Sequence, residues 1–220
     1  MKRMVYAGLT VLVLVGGLYA VRRPLMMSAP RCFGGYWHGC YDTENGVVLM
    51  TIAGLPLAVA LVGVIAWVRR AAGGADVWRR SVAEVGIVYG TVPMVWLTLM
   101  PGPGAGAVPG RWSLVPLRDL VTMGPLGIGG NLLIFAAAGF FAPLRFAALA
   151  SVPRILALGA GCSVVVEVAQ YVLRLDRVSS VDDVLVNAAG AMLAGMASRR
   201  WWRTPDRRPA SEAPAVGADV

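Results

Sequence analysis

The chain has 220 residues, 57% of them hydrophobic and only 15% charged, with a net charge of +8 and a mean hydropathy of +0.67. Average globular domains carry roughly 25% charged residues, and a water-soluble fold of this length would expose too much apolar surface. The basic balance excludes little by itself, but no basic segment forms a groove-reading module, so nucleic acid is not an expected partner.

The apolar residues fall into six runs, 4–21, 47–68, 82–100, 128–144, 155–173 and 184–198. About 20 helical residues at 1.5 Å each cross a hydrocarbon core of roughly 30 Å. The fold class expected is therefore all-α, a polytopic transmembrane helical bundle of about six spans. The sixth run is short and rich in Ala and Gly; to cross, it needs a thinner bilayer or polar flanks that dip inward. With the amino terminus inside, 13 of the 20 Lys and Arg fall in inner segments and 7 in outer ones. That is the positive-inside asymmetry, and it puts both termini in the cytoplasm. Membrane lipids are the expected surroundings, with anionic headgroups near the basic inner face.

The first run follows Lys2 and Arg3 but is longer than a signal-peptide core, so an uncleaved helix is expected. The loop after it, 22–46, holds Cys32 and Cys40. Outside the membrane the two can form a disulfide or remain free thiols. His38 lies between them, yet a metal site would need a further ligand, and no metal or cofactor is expected. Residues 1–70 read as an amino-terminal transmembrane hairpin carrying this Cys-containing loop. Cys162, in the fifth run, reads as a buried inert thiol.

A basic, Gly-containing linker over 69–80 leads to the later runs. Glu84 should lie near the inner end of the third span, within reach of the interface or Arg80. Residues 101–127 are rich in Pro and Gly and cannot hold one long regular helix. They read as an outer loop with an interfacial piece around 112–123, anchored by Trp112. The tail, 203–220, reads as disordered and cytoplasmic.

Polar side chains inside apolar runs carry the functional information, because a bilayer makes them costly unless they face the bundle interior or a cavity. In the fifth run Ser163, Glu167, Gln170 and Arg174 are spaced to line one helix face. In the sixth, Asp183, Asn187 and Gly190 share a face, preceded by Arg177 and Asp182. Asn131 opens the fourth. All belong to the outer half of the predicted topology. A structural alternative stands beside each. Ser180 and Asp183 have capping-box spacing, Arg177 has acids to pair with, and intramembrane amides often bond neighbouring helices.

At these residues the sequence resembles the VanZ-like family. The resemblance rests on Gly130-Asn131-Leu-Leu-Ile-Phe135, Gly139-Phe and Pro143, then on Glu167-x-x-Gln170, then on Arg177, Asp182-Asp183 and Asn187-x-x-Gly190. It covers roughly 81–200, which reads as a four-helix membrane domain. Where the family often has a third acid, this chain has Ser180. Its counterpart to an Asn-x-x-Pro-Phe segment is Ser113-Leu-Val-Pro116-Leu. The family takes its name from a membrane protein associated with low-level teicoplanin resistance. The resemblance thus implies a bacterial cell-envelope protein of the cytoplasmic membrane, tied to antibiotic resistance, and no particular reaction.

Three functions follow as alternatives. In the first, the cluster of Asn131, Glu167, Gln170, Arg177, Asp182, Asp183, Asn187 and Gly190 binds a lipid-linked cell-wall intermediate or an envelope protein. In the second, Glu167, Asp182 and Asp183 serve as acid/base groups of a membrane enzyme, with Arg177 holding a lipid-linked phosphate. In the third, Glu167 relays protons in a transporter or flippase.

Overall fold

The computed structural model describes residues 24–34 and 39–202, together with Leu12, Val15, Gly16 and Arg22. The first apolar run apart from three positions, His38 and the tail 203–220 lie outside the described residues.

A short helical segment, Pro24–Ser28 and Ala29–Phe33, precedes the long helix α1, Glu44–Ala71. Cys32 and Cys40 are bonded to each other beside the start of α1, with Cα atoms 5.3 Å apart. Thr43 caps α1 by accepting the Gly46 N–H at 3.1 Å, with Glu44 in the first turn and Arg69 and Arg70 in the last. This charge order suits the helix dipole. It also explains why α1 outruns the apolar stretch 47–68 at both ends.

Helix α2, Val77–Thr98, stops just before Pro101. The next apolar run is longer and more broken than expected. It starts at Leu120, not residue 128, and forms α3, Leu120–Ile134, and α4, Ala136–Arg145. Gly124 takes φ 68° and ψ 167° beside Pro125, a bend open to glycine and strained for other residues. Phe135, at φ −109°, separates α3 from α4. Helix α5 spans Val152–Val172 and α6 spans Val181–Ala197.

The described residues are mostly helical. Among the described residues four helices are long and apolar enough to cross a membrane: α1, α2, the joined α3–α4 and α5. Helix α6, at 17 residues, is shorter. One correction to an all-α reading is needed. Strands β1, Arg111–Ser113, and β2, Val178–Ser180, pair in parallel, with Trp112 opposite Ser179. The interfacial piece expected around Trp112 is thus in part a strand, and Trp112 stacks on Tyr171 at 4.2 Å between ring centroids.

Helix α6 is central, packed on α3, α4 and α5, while α4 also contacts α2 and α1 leans on α2 at the edge. Two glycines permit the closest approaches. A Cβ on Gly190 would lie 2.7 Å from the Leu132 Cα, and one on Gly139 would lie 2.7 Å from the Ala191 Cα. Beneath them Ile134, Phe135, Ile155, Val166 and Ala191 form the apolar core, with Cys162 packed against it as a free thiol.

At the end of the bundle carrying the α1–α2 turn, Glu84 joins three helices. It pairs with Arg69 of α1 at 2.5 Å and with Arg145 of α4. The partner is therefore not Arg80. Two guanidiniums on other helices reach the carboxylate instead.

Candidate functional site

The other end of the bundle gathers the end of α2, the start of α3, the end of α5 and the start of α6. Each terminus leaves backbone groups without helical partners, and polar side chains from the neighbouring helices take them up.

Helix α2 ends first. The Leu97 and Thr98 carbonyls, orphaned by that end, accept from Arg177 Nη2 at 3.5 Å and from Gln170 Nε2 at 2.9 Å. Arg177 Nε also donates to the Met100 carbonyl at 3.2 Å. Arg177 therefore does not pair with Asp182 or Asp183 through a salt bridge. Arg174, expected on the same face as Glu167, leaves it because α5 stops at Val172 and Arg174 takes φ 50°.

Helix α3 begins next. The Asp182 carboxylate accepts the N–H groups of Leu117 at 2.5 Å, Asp119 at 2.8 Å and Leu120 at 3.1 Å. Asp182 is 1% exposed. It clips the loop before α3 to the start of α6. Beside it the Ser113 and Ser180 hydroxyls hold the Asp119 carboxyl below its ordinary range, Ser180 donating at 2.7 Å.

Helix α6 starts at the same place. Ser180 caps it by accepting the Asp182 N–H at 3.2 Å. In a capping box the residue three positions on would bond the cap's own N–H. Here Glu167 does so from α5, accepting the Ser180 N–H at 3.0 Å, while Ser179 donates to the Glu167 carbonyl at 2.8 Å. Asp183 is released from that duty and takes a hydrogen bond from Asn131 of α3.

The result is a cavity of about 210 Å³ lined by Asn131, Glu167, Gln170, Arg177, Asp183 and Asn187, with apolar walls from Ile134, Val166 and Val178 and with Thr98 of α2. Six of the eight residues of the predicted cluster meet there. Asp182 and Gly190 do not line it. Asp182 faces the loop, and Gly190 lies against the Leu132 backbone.

Several oxygens remain unused. Asn187 is 1% exposed; its Nδ2 donates to Ser163 at 2.7 Å, and its Oδ1 has no partner. Glu167 spends one carboxylate oxygen on Ser180. Its far side meets a separate apolar groove of about 230 Å³ with Trp112, Val164, Val168 and Val184. The sequence reading left Ser163 out of the cluster and missed Thr98 and the Leu97 and Met100 carbonyls. The signal for the carbonyls was the Pro101-Gly-Pro stop, which fixes where α2 exposes them. Ser163 lay on the predicted polar face, four residues before Glu167. Among the described residues no group of three or more His, Cys, Asp or Glu is placed to hold a metal ion.

Neither the curated proteins nor the solved structures contain a match to the chain. The comparison with protein families matches residues 57–202 to VanZ/LLP1. The match begins inside α1 and so takes in part of the helix assigned above to the amino-terminal hairpin. It contains every residue of the cavity. The chain is a membrane protein of the VanZ/LLP1 family.

Proposed function

We propose that this is a six-span protein of the bacterial cytoplasmic membrane with both termini in the cytoplasm. Its polar cavity opens toward the outer leaflet and binds an envelope ligand, either a lipid-linked cell-wall intermediate or an envelope partner. Occupancy of that site modulates susceptibility to glycopeptides of the teicoplanin type. The observation that supports this reading is the convergence of six polar side chains on one cavity. Glu167 lies five residues before the end of α5 and Asn187 six after the start of α6. Both are thus about 8–9 Å inside the helix ends, a depth where unused polar groups are costly and are retained for a purpose.

The test is made in cells. A host whose teicoplanin susceptibility changes on expression of the chain receives Glu167→Gln or Asp183→Asn at matched membrane levels. Both variants are expected to lose the change. Full retention by both removes the cavity from the function. Reporter fusions after residue 202 and within 101–110 check the orientation, with the first expected inside and the second outside.

A further inference from the structure

We propose that the cavity is a binding site for a primary ammonium group. The inference rests on the functional reading above only in taking the cavity as a ligand site, and it names the chemistry of the ligand.

The argument is a census of donors and acceptors. Each amide that lines the cavity gives an N–H to a protein acceptor. Gln170 Nε2 is on the Thr98 carbonyl, Asn131 Nδ2 on Asp183 and Asn187 Nδ2 on Ser163. Two nitrogens of Arg177 are on the carbonyls of Leu97 and Met100. The orientations of Asn131 and Gln170 are fixed by those partners, since turning either amide would set its oxygen against another oxygen. Acceptors without a partner face the cavity. The second oxygens of the Glu167 and Asp183 carboxylates have no hydrogen-bond partner among the described residues, and the buried Asn187 Oδ1 is unsatisfied. A buried polar atom without a partner is costly, and a ligand that supplies donors removes that cost.

Charge selects the same ligand. With both carboxylates ionised, two negative charges meet one guanidinium, a formal net charge of −1 in a medium that disfavours uncompensated charge. One cation neutralises it. A phosphate would raise the imbalance, and two of the five guanidinium N–H groups are already spent on the Met100 and Leu97 carbonyls. A primary ammonium brings one positive charge and three donors, to be shared among Glu167, Asp183 and Asn187. A cavity of about 210 Å³ has room for such a head and a few attached atoms, several times the roughly 30 Å³ share of one water. A quaternary ammonium carries the charge with no N–H and leaves the acceptors unsatisfied.

The experiment uses the full chain in phosphatidylcholine nanodiscs, which contain no primary amine, and reads the thermal unfolding midpoint. Ethylammonium chloride is expected to raise the midpoint saturably, while tetramethylammonium chloride and potassium chloride at equal concentration do not. Glu167→Gln and Asp183→Asn each keep an acceptor for Ser180 or Asn131, so both should fold. Each is expected to weaken ethylammonium binding about tenfold or more, the loss of one charge-assisted contact. Nanodiscs containing phosphatidylethanolamine separate two sources of the amine. A lipid headgroup in the site raises the starting midpoint and blunts the ethylammonium response, whereas a soluble amine leaves both unchanged; either supports the assignment. An equal response to tetramethylammonium or potassium overturns it, as does a response to sodium phosphate alone or no response to ethylammonium. If ethylammonium fails to bind while both variants lose the teicoplanin effect, the ammonium assignment falls and the functional reading stands. If ethylammonium binds and neither variant alters susceptibility, the functional reading falls and the assignment stands.

Discussion

The Glu167 carboxylate accepts the Ser180 N–H at 3.0 Å and so caps α6 from the neighbouring helix. In an ordinary capping box the acid would come from the same helix, at Asp183. Transferring the cap to Glu167 leaves Asp183 free to face Asn131 and the cavity. One exchange of partners converts a helix-start motif into part of a polar site.

That exchange predicts a split between two substitutions at Glu167. Glu167→Ala leaves the Ser180 N–H buried without an acceptor and should cost about 1–3 kcal/mol. Glu167→Gln keeps an amide oxygen there and should cost less. Chemical denaturation in detergent micelles measures both, and equal losses for Ala and Gln would refute the capping role.

Asp182 holds three backbone N–H groups and lines no part of the cavity. Asp182→Ala should expose the amides of Leu117, Asp119 and Leu120 to hydrogen exchange. It should also destabilise the fold by roughly 2–4 kcal/mol, because several buried donors lose their acceptor together. If exchange at 117–120 stays at the wild-type rate, the clip is not what anchors the loop.

Gly190 and Gly139 are expected to tolerate nothing larger. Alanine at either position must displace the backbone of Leu132 or Ala191, an overpacking cost of about 1–3 kcal/mol or more. Gly63→Ala in α1, where an added Cβ meets nothing within 4 Å, should stay within roughly 0.5 kcal/mol of the parent. The pairwise comparison of unfolding midpoints decides it.

Asp119 gives a pH signature outside the helices that cross. The Ser113 and Ser180 hydroxyls lower its folded pKa below the ordinary aspartate value. Its stabilising contribution is therefore complete above the unfolded pKa and is lost as pH falls through the depressed folded one. Trp112, one residue before Ser113 and stacked on Tyr171, should report loosening of this loop by fluorescence on acidification. Asp119→Asn should remove that acid-dependent step, and an unchanged titration in the variant would assign it to another group.

The Glu84 bridge is testable by coupling. Arg69→Gln and Arg145→Gln should each destabilise the fold, and the double-mutant cycle of Arg69 with Glu84 should give an interaction of about 0.5–1.5 kcal/mol. Arg80→Gln should show no coupling to Glu84.

The amino-acid order determined the apolar runs that become α1, α2, α3–α4, α5 and α6, because a bilayer demands long uninterrupted apolar stretches and helical spacing shows which polar residues share a face. On those grounds Glu167, Gln170, Asn131, Asp183 and Asn187 could be placed together before any contact was known. The start of α3 at Leu120 was not legible, since Gly124 and Pro125 mark a break that can end a helix or bend it. Nor was the division of labour at the helix ends. Asp182 and Asp183 are adjacent and chemically identical. Only the tertiary structure sends one to the backbone of the loop before α3 and the other to the cavity, because a helix turns by about 100° per residue and presents the two carboxylates to different neighbours.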